Sequence, residues 1–292
     1  MTTFLTMAYI IFVQPAVLSG KMFGLDTGMD FGAVTTATCL SAALATGLMA
    51  LLARYPIAQA PGMGENFFFV FSAIPAATAA GFANGWQVAL GVVFISGVLF
   101  LILSVVGLRE IIFNSISPSM KNAIAAGIGL FIAFIGLQQA GVILKDPGSA
   151  VKLNAHFLSP DHIVFFVALL ITAALHARKI RGSILWGILA ATALTMILKL
   201  SLANSNNALV TGSMLAKQFQ FAHGILAAPP SLAPTFLKMD LAHALSPKMF
   251  PFIFVFLFML TFDAIGTLIG VCEQAGFMRD NKLPRAKQAM VS

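Results

Sequence analysis

Asp263 is the only charged residue in the 22-residue stretch Phe250 to Val271, which is otherwise built from Phe, Leu, Ile, Val, Met and small residues. A stretch that long and apolar can cross a bilayer as a helix. A carboxylate near the middle of such a helix costs roughly 2.5 to 3.5 kcal/mol on insertion scales. It is therefore expected to face a bundle interior or a wet cavity and to mark a site for a substrate, ion or proton. The alternative is a structural pair with a Lys or Arg on a neighbouring helix, but no other apolar segment carries an obvious basic residue at mid-depth. Thr267 lies four residues on, and Gly266 and Gly270 three and seven on, so all share one helix face with Asp263. Two glycines at that spacing admit a close neighbour.

A second polar cluster interrupts another apolar stretch. Ala60-Pro61-Gly62-Met63-Gly64-Glu65-Asn66 precedes Phe67 and Phe68 within the apolar segment 57–80. Proline removes a backbone donor, and glycine admits unusual backbone angles. Irregular backbone at membrane depth is tolerated only inside protein or beside a wet cavity. A helix resuming at about Glu65 or Asn66 would aim free N–H groups inward, the arrangement transporters use near the midplane. The competing reading is a plain proline kink facing lipid.

The elements that hold these residues follow from composition. The chain of 292 residues is 59% hydrophobic and 9% charged, with a mean hydropathy of +0.93. An ordinary soluble domain is about a quarter charged, so a water-soluble globule is excluded. Eight apolar runs are expected to span: 1–19, 31–53, 57–80, 86–108, 118–140, 160–177, 183–200 and 250–271. Basic residues concentrate after the second, fourth, sixth and eighth runs, at Arg54, Arg109, Lys121, Arg178, Lys179, Arg181 and in the tail from Arg279. That places the amino terminus in the cytoplasm. The excess of +7 in charge contains no basic run interleaved with aromatics, so nucleic acid is not an expected partner. Cys39 and Cys272 stand far apart without metal-ligand or disulfide spacing. Neither a metal set nor a nucleophile–base pair suggests an enzyme, and no cofactor is expected. Gln14, before Pro15, either lines the same cavity or caps a break. Gln138 and Gln139 read as interfacial, and His176 as a headgroup-level residue.

Five motifs then resemble one family: Thr3-Phe-Leu-Thr-Met-Ala-Tyr-Ile-Ile-Phe-Val-Gln-Pro15, Ala60-Pro-Gly-Met-Gly64, Ser117-Pro-Ser-Met-Lys121, Gly127-Ile-Gly-Leu-Phe-Ile-Ala-Phe-Ile-Gly136 and Phe262-Asp-Ala-Ile-Gly-Thr-Leu-Ile-Gly270. They are similar to the purine-permease (AzgA-like) branch of the nucleobase–cation symporter family 2, the xanthine/uracil permease superfamily. The resemblance implies an all-α polytopic membrane protein with fourteen spans in two inverted repeats of seven, divided into core and gate. About eight spans are expected here, the first repeat plus the first helix of the second, with the third span broken. It assigns 1–108 to core spans one to four, 109–200 to gate spans five to seven, 201–249 to a long extracytoplasmic connection, 250–271 to core span eight and 272–292 to a cytoplasmic tail. The first span begins at residue 1 and the chain stops after a polar tail, so it reads as truncated at both ends.

The resemblance implies a substrate held by Asp263 and Thr267, by Glu65, Asn66, Phe67 and Phe68, and by Gln14, around the break at Pro61, Gly62 and Gly64. Gln14 stands where the family usually has Asn, and Glu65 where Leu is common. The implied function is import of purine nucleobases of the adenine, guanine or hypoxanthine type. Coupling is expected to H⁺ rather than Na⁺, with Asp263 and Glu65 as proton carriers, because burial favours a neutral carboxyl. The inner membrane is the expected location, the lipid bilayer is the surrounding partner, and a homodimer is compatible. A transport-incompetent fragment of such a permease, or a carrier of another small nucleobase-like solute, is the alternative.

Overall fold

The computed structural model describes residues 7–107, 117–155, 157–202, 207–217 and 228–277. Their regular structure is helical apart from one two-stranded hairpin. The described residues fall into two compact units, one formed by residues 7–107, 117–130 and 228–277 and one by residues 131–155, 157–202 and 207–217.

The first unit opens with α1, Ile10–Leu18, which holds Pro15 in its interior. Pro15 cannot donate to the carbonyl of Ile11, so this helix is weakened in its middle. Next comes α2, Phe31–Leu48, started by Asp30, whose carboxylate accepts the Ala33 N–H at 2.7 Å. It widens into a π turn, Met49–Ala53, and stops at Arg54 in the left-handed region, φ 56°. Tyr55 precedes Pro56 and is biased away from helix, which fixes the stop.

The chain then runs without regular structure to Gly62 and enters a continuous helical segment: α3, Met63–Phe68, a π turn, Phe69–Ala73, and α4, Ile74–Ala79. The cause of the wide turn lies in Pro75. Its ring lacks an N–H and would clash with the carbonyl of Phe71, and a π turn relieves that conflict.

α5, Gly85–Val106, ends at Gly107 with φ 81°. The polypeptide from α11, Leu241–Ala244, lies so close to it that a Cβ on Gly91 would stand 2.8 Å from the Ala244 methyl. α12, Phe250–Gln274, packs along α5. Val88, Ala89 and Val92 of α5 are buried, as are Met249 and, on α12, Ile253 and Phe256. Ser96 donates to the Ile253 carbonyl at 3.0 Å across the same seam. At the other end of α12, Cys272 is sealed against Met49, Ala53 and Tyr55.

In the second unit, the carboxyl-terminal part of α6, Pro118–Gln139, leads into β1, Ile143–Asp146, and β2, Ala150–Leu153. These strands pair antiparallel, with Ile143 opposite Leu153 and Asp146 opposite Ala150. Asp146 also bonds Lys152 at 3.1 Å and caps the intervening turn by accepting from the Ser149 N–H at 3.1 Å. The Lys152 bond, and next the Ser149 backbone bond, hold its carboxyl below the ordinary range. The hairpin is an addition to the expected all-helical pattern.

α7, Pro160–Ala177, and α8, Ser183–Ser201, pack against one another, with Gly187 leaving room for Thr172. Two short helices follow, α9, Ala208–Thr211, and α10, Met214–Lys217. Asp161 accepts the N–H groups of Met214 and Leu215 at 2.8 and 3.1 Å, while Lys199 donates to the carbonyls of Leu215 and Ala216 at 3.1 and 3.0 Å.

Five helical stretches among the described residues are long and apolar enough to cross a membrane: Phe31–Ala53, Gly85–Val106, Pro160–Ala177, Ser183–Ser201 and Phe250–Cys272. Of the other three expected runs, the first includes residues 1–6, which lie outside the described residues, the third is split by its break and π turn, and the run 118–140 falls on the continuous 22-residue helix Pro118–Gln139. Large apolar side chains such as Leu44, Leu51, Val106, Leu130 and Leu170 are exposed, as on a protein whose solvent is lipid. The expected tail residues beyond 277 lie outside the described residues.

Candidate functional site

The site begins with the backbone at Pro61 and Gly62. Gly62 is extended, φ −69° and ψ 126°, and caps α3 without any side-chain bond. The helix starts at Met63, two to three residues earlier than the sequence pattern suggests, because Gly62 rather than Gly64 makes the turn into helix. The unbonded N–H groups of the first turn therefore fall on Met63 and Gly64. The carboxyl of Glu65 folds back toward the helix start at Gly62, and the N–H groups of Asn66 and Phe67 lie deeper in the helical run than expected.

Gly62 also brings the two acidic residues together. A Cβ built there would collide with the Glu65 carboxyl and stand 3.0 Å from Asp263 Oδ2. Only a hydrogen at this position lets the α3 start, Glu65 and Asp263 share one point. Glu65 Oε2 is buried without a hydrogen-bond partner among the described residues. No described Lys, Arg or His forms an ion pair with either carboxyl, so the structural-pair reading of Asp263 finds no partner here. Two acceptor groups thus meet beside a helix start that offers donors, a combination suited to a flat ligand with both N–H and acceptor edges.

α12 is held against α3 by contacts that flank this point. Phe68 packs on Phe252 and Phe256, with ring centroids 5.8 and 5.1 Å apart. Met259, four residues before Asp263 and on its face, sits 3.9 Å from where a Gly64 Cβ would be. The sequence pattern did not single out Met259, although its spacing from Asp263 was available. Phe67 is buried against Phe23 and Phe71, at 5.5 and 6.2 Å between centroids. Both phenylalanines therefore serve as packing between elements in this structure.

Gln14 and Asn66 come together, 52 residues apart in sequence. Gln14 Nε2 donates to Asn66 Oδ1 at 3.1 Å, and Asn66 Nδ2 donates to Gln14 Oε1 in return. Thr267 is exposed, and its hydroxyl donates to the Asp263 carbonyl at 2.7 Å, a bond within the helix. Gly266 is buried, whereas no atom lies within 4 Å of a Cβ built on Gly270. An apolar groove of about 710 Å³ between α7 and α8, lined in part by Phe165, Ile188 and Leu215, contains none of the expected site residues.

A family model described as the Permease family, that of xanthine and uracil permeases, matches residues 1–292. The chain belongs to this permease family. It is 42% identical over its whole length to a putative permease of Methanocaldococcus jannaschii, covering 60% of that protein. To the guanine/hypoxanthine permease PbuG of Bacillus subtilis it is 41% identical, over 100% of this chain and 62% of the relative. To the adenine permease AdeP of Escherichia coli it is 35% identical, over 99% of this chain and 58% of the relative. The chain spans about three fifths of the length of these curated relatives. Its family is one of transporters and not an enzyme class, and its apolar helices make it a multi-pass membrane protein.

Proposed function

We propose that the permease carries a purine nucleobase across the cell membrane together with a proton, its amino terminus in the cytoplasm. The observation that carries this reading is the meeting of Glu65 and Asp263 at Gly62, beside the start of α3. A purine offers ring N–H groups, and in some cases an exocyclic amine, along one edge. A carboxylate accepts two such bonds with the strength of charge assistance. The N–H groups of Met63 and Gly64 would meet a ring nitrogen or a carbonyl of the base. One proton taken up by the carboxyl pair leaves a single negative charge for the N–H edge, and its release on the other side resets the site. The relatives named for guanine, hypoxanthine and adenine support the substrate class. Rocking of one part of the bundle against another supplies the alternating access.

The test is Asp263→Asn, which keeps the size of the side chain and removes its charge. Uptake of radiolabelled hypoxanthine, guanine and adenine by cells lacking their own purine carriers should fall to background with the variant still in the membrane. Undiminished uptake of every base would refute the assignment.

A further inference from the structure

We propose that Gln14 and Asn66 are positioning residues, an amide lock that sets the direction in which α3 presents Glu65. The proposal rests on the reading of the Glu65–Asp263 site as a purine site. Its geometry is reciprocal: each amide donates to the other, Gln14 Nε2 to Asn66 Oδ1 at 3.1 Å and Asn66 Nδ2 to Gln14 Oε1. Both side chains are buried, 6% and 8% exposed. An amide has two donor hydrogens and an oxygen with two lone pairs. The oxygen of each residue faces its partner's nitrogen, and Asn66 Nδ2 also lies 3.7 Å from the Met63 sulfur. These side chains are turned toward the protein.

The place of the lock is where the backbone is least able to hold itself. On one side Pro15, next to Gln14, removes a helical bond from α1. On the other, α3 begins at Gly62 with no side-chain cap. A pair of bonds joining the two weak points fixes their relation. Glu65 immediately precedes Asn66 on α3, so holding the Asn66 amide also holds the carboxyl that meets Asp263 at Gly62. Removing one amide leaves the other buried and unpaired, which is worse than removing both. The lock therefore predicts non-additivity, whereas two independent ligand contacts would multiply.

Four variants of the full chain test this: Gln14→Leu, Asn66→Leu, the two combined, and the exchange Gln14→Asn with Asn66→Gln. Two readouts are taken. The first is KM and maximal rate for labelled hypoxanthine uptake. The second is the rate at which a thiol reagent labels Gly64→Cys after Cys39→Ala and Cys272→Ala. Position 64 has room for the probe, the nearest atom to its Cβ being Met259 Cε at 3.9 Å. Each single variant should raise KM about tenfold and change the labelling rate. The double variant should be no worse than either single one, and the exchange should bring both readouts back toward the starting protein. Labelling that stays constant in the single variants, or KM effects that multiply in the double variant, would overturn the lock. If the single variants fail to accumulate in the membrane, the exchange decides: restored accumulation supports the lock and its failure overturns it. Absence of purine uptake by the unsubstituted protein would instead refute the purine reading, and the labelling readout would still decide the lock.

Discussion

A side-chain carbon at Gly62 would stand 3.0 Å from the Oδ2 of Asp263, so the missing Cβ of one residue is what admits the carboxyl of the other. The same hydrogen makes room for Glu65. Gly62→Ala should therefore push the carboxyls apart and cut purine uptake by about tenfold or more, with a loss of 1 to 3 kcal/mol from overpacking. The backbone itself permits alanine, since φ at position 62 is −69°. Initial-rate uptake normalised to membrane content separates the two effects. Unchanged uptake at normal abundance would mean that the close approach is irrelevant to transport.

Asp161 and Lys199 hold opposite ends of α10, the carboxylate on its first N–H groups and the ammonium on its carbonyls. Both signs match the partial charges of a helix, yet α10 is too short to stand alone. Asp161→Ala should free residues 214–217 at a cost of about 1 to 2 kcal/mol, and Lys199→Met should do so to a smaller degree. Backbone hydrogen exchange in that segment checks both. Protection that survives the double variant would mean that the buried Leu215 alone anchors it.

Acid should loosen α11 before it affects the membrane helices. Asp240 accepts the His243 N–H at 3.0 Å and its ring Nδ1 at 2.6 Å. The backbone bond, and next the side-chain bond, hold the Asp240 carboxyl below its usual value. A lowered folded-state value means that the stabilisation is complete above the ordinary value of about 3.9 and is lost as pH falls through the lowered one. Hydrogen exchange at Leu241–Ala244 should accelerate in that acid window and stay flat above about pH 5. In Asp240→Asn the acid step should vanish while the cap persists at neutral pH. An acid step retained in that variant would assign it to another group.

Much of the fold was legible because proline and glycine act locally. Pro61 and Gly62 signalled the break, and the lone charge in Phe250 to Val271 signalled the face around Asp263. The helix start was misjudged by two to three residues because either Gly62 or Gly64 could have made the turn. The hairpin was missed although Asp146-Pro-Gly-Ser149 carries strong turn chemistry; apolar length dominated the reading there. Gln14 and Asn66 were each noticed as polar residues at depth, but no periodicity joins positions 52 apart. Their pairing is a tertiary fact, as is the use of Phe67 and Phe68 for packing.

The π turn before Pro75 gives the broken segment a counting property. It uses more residues per turn than an α-helix, so the angle between the Glu65–Phe68 face and α4 depends on how many residues lie between Phe69 and Ala73. One residue corresponds to about 100° of helix rotation. The same five residues wound as plain α-helix would keep α4 against α5 only by turning the carboxyl of Glu65 about one residue's rotation away from Asp263, whereas a chain with one residue fewer, wound as plain α-helix, would restore the alignment. Five residues of unremarkable sequence, Phe-Val-Phe-Ser-Ala, thus act as the index mark that aligns one half of the segment with the other.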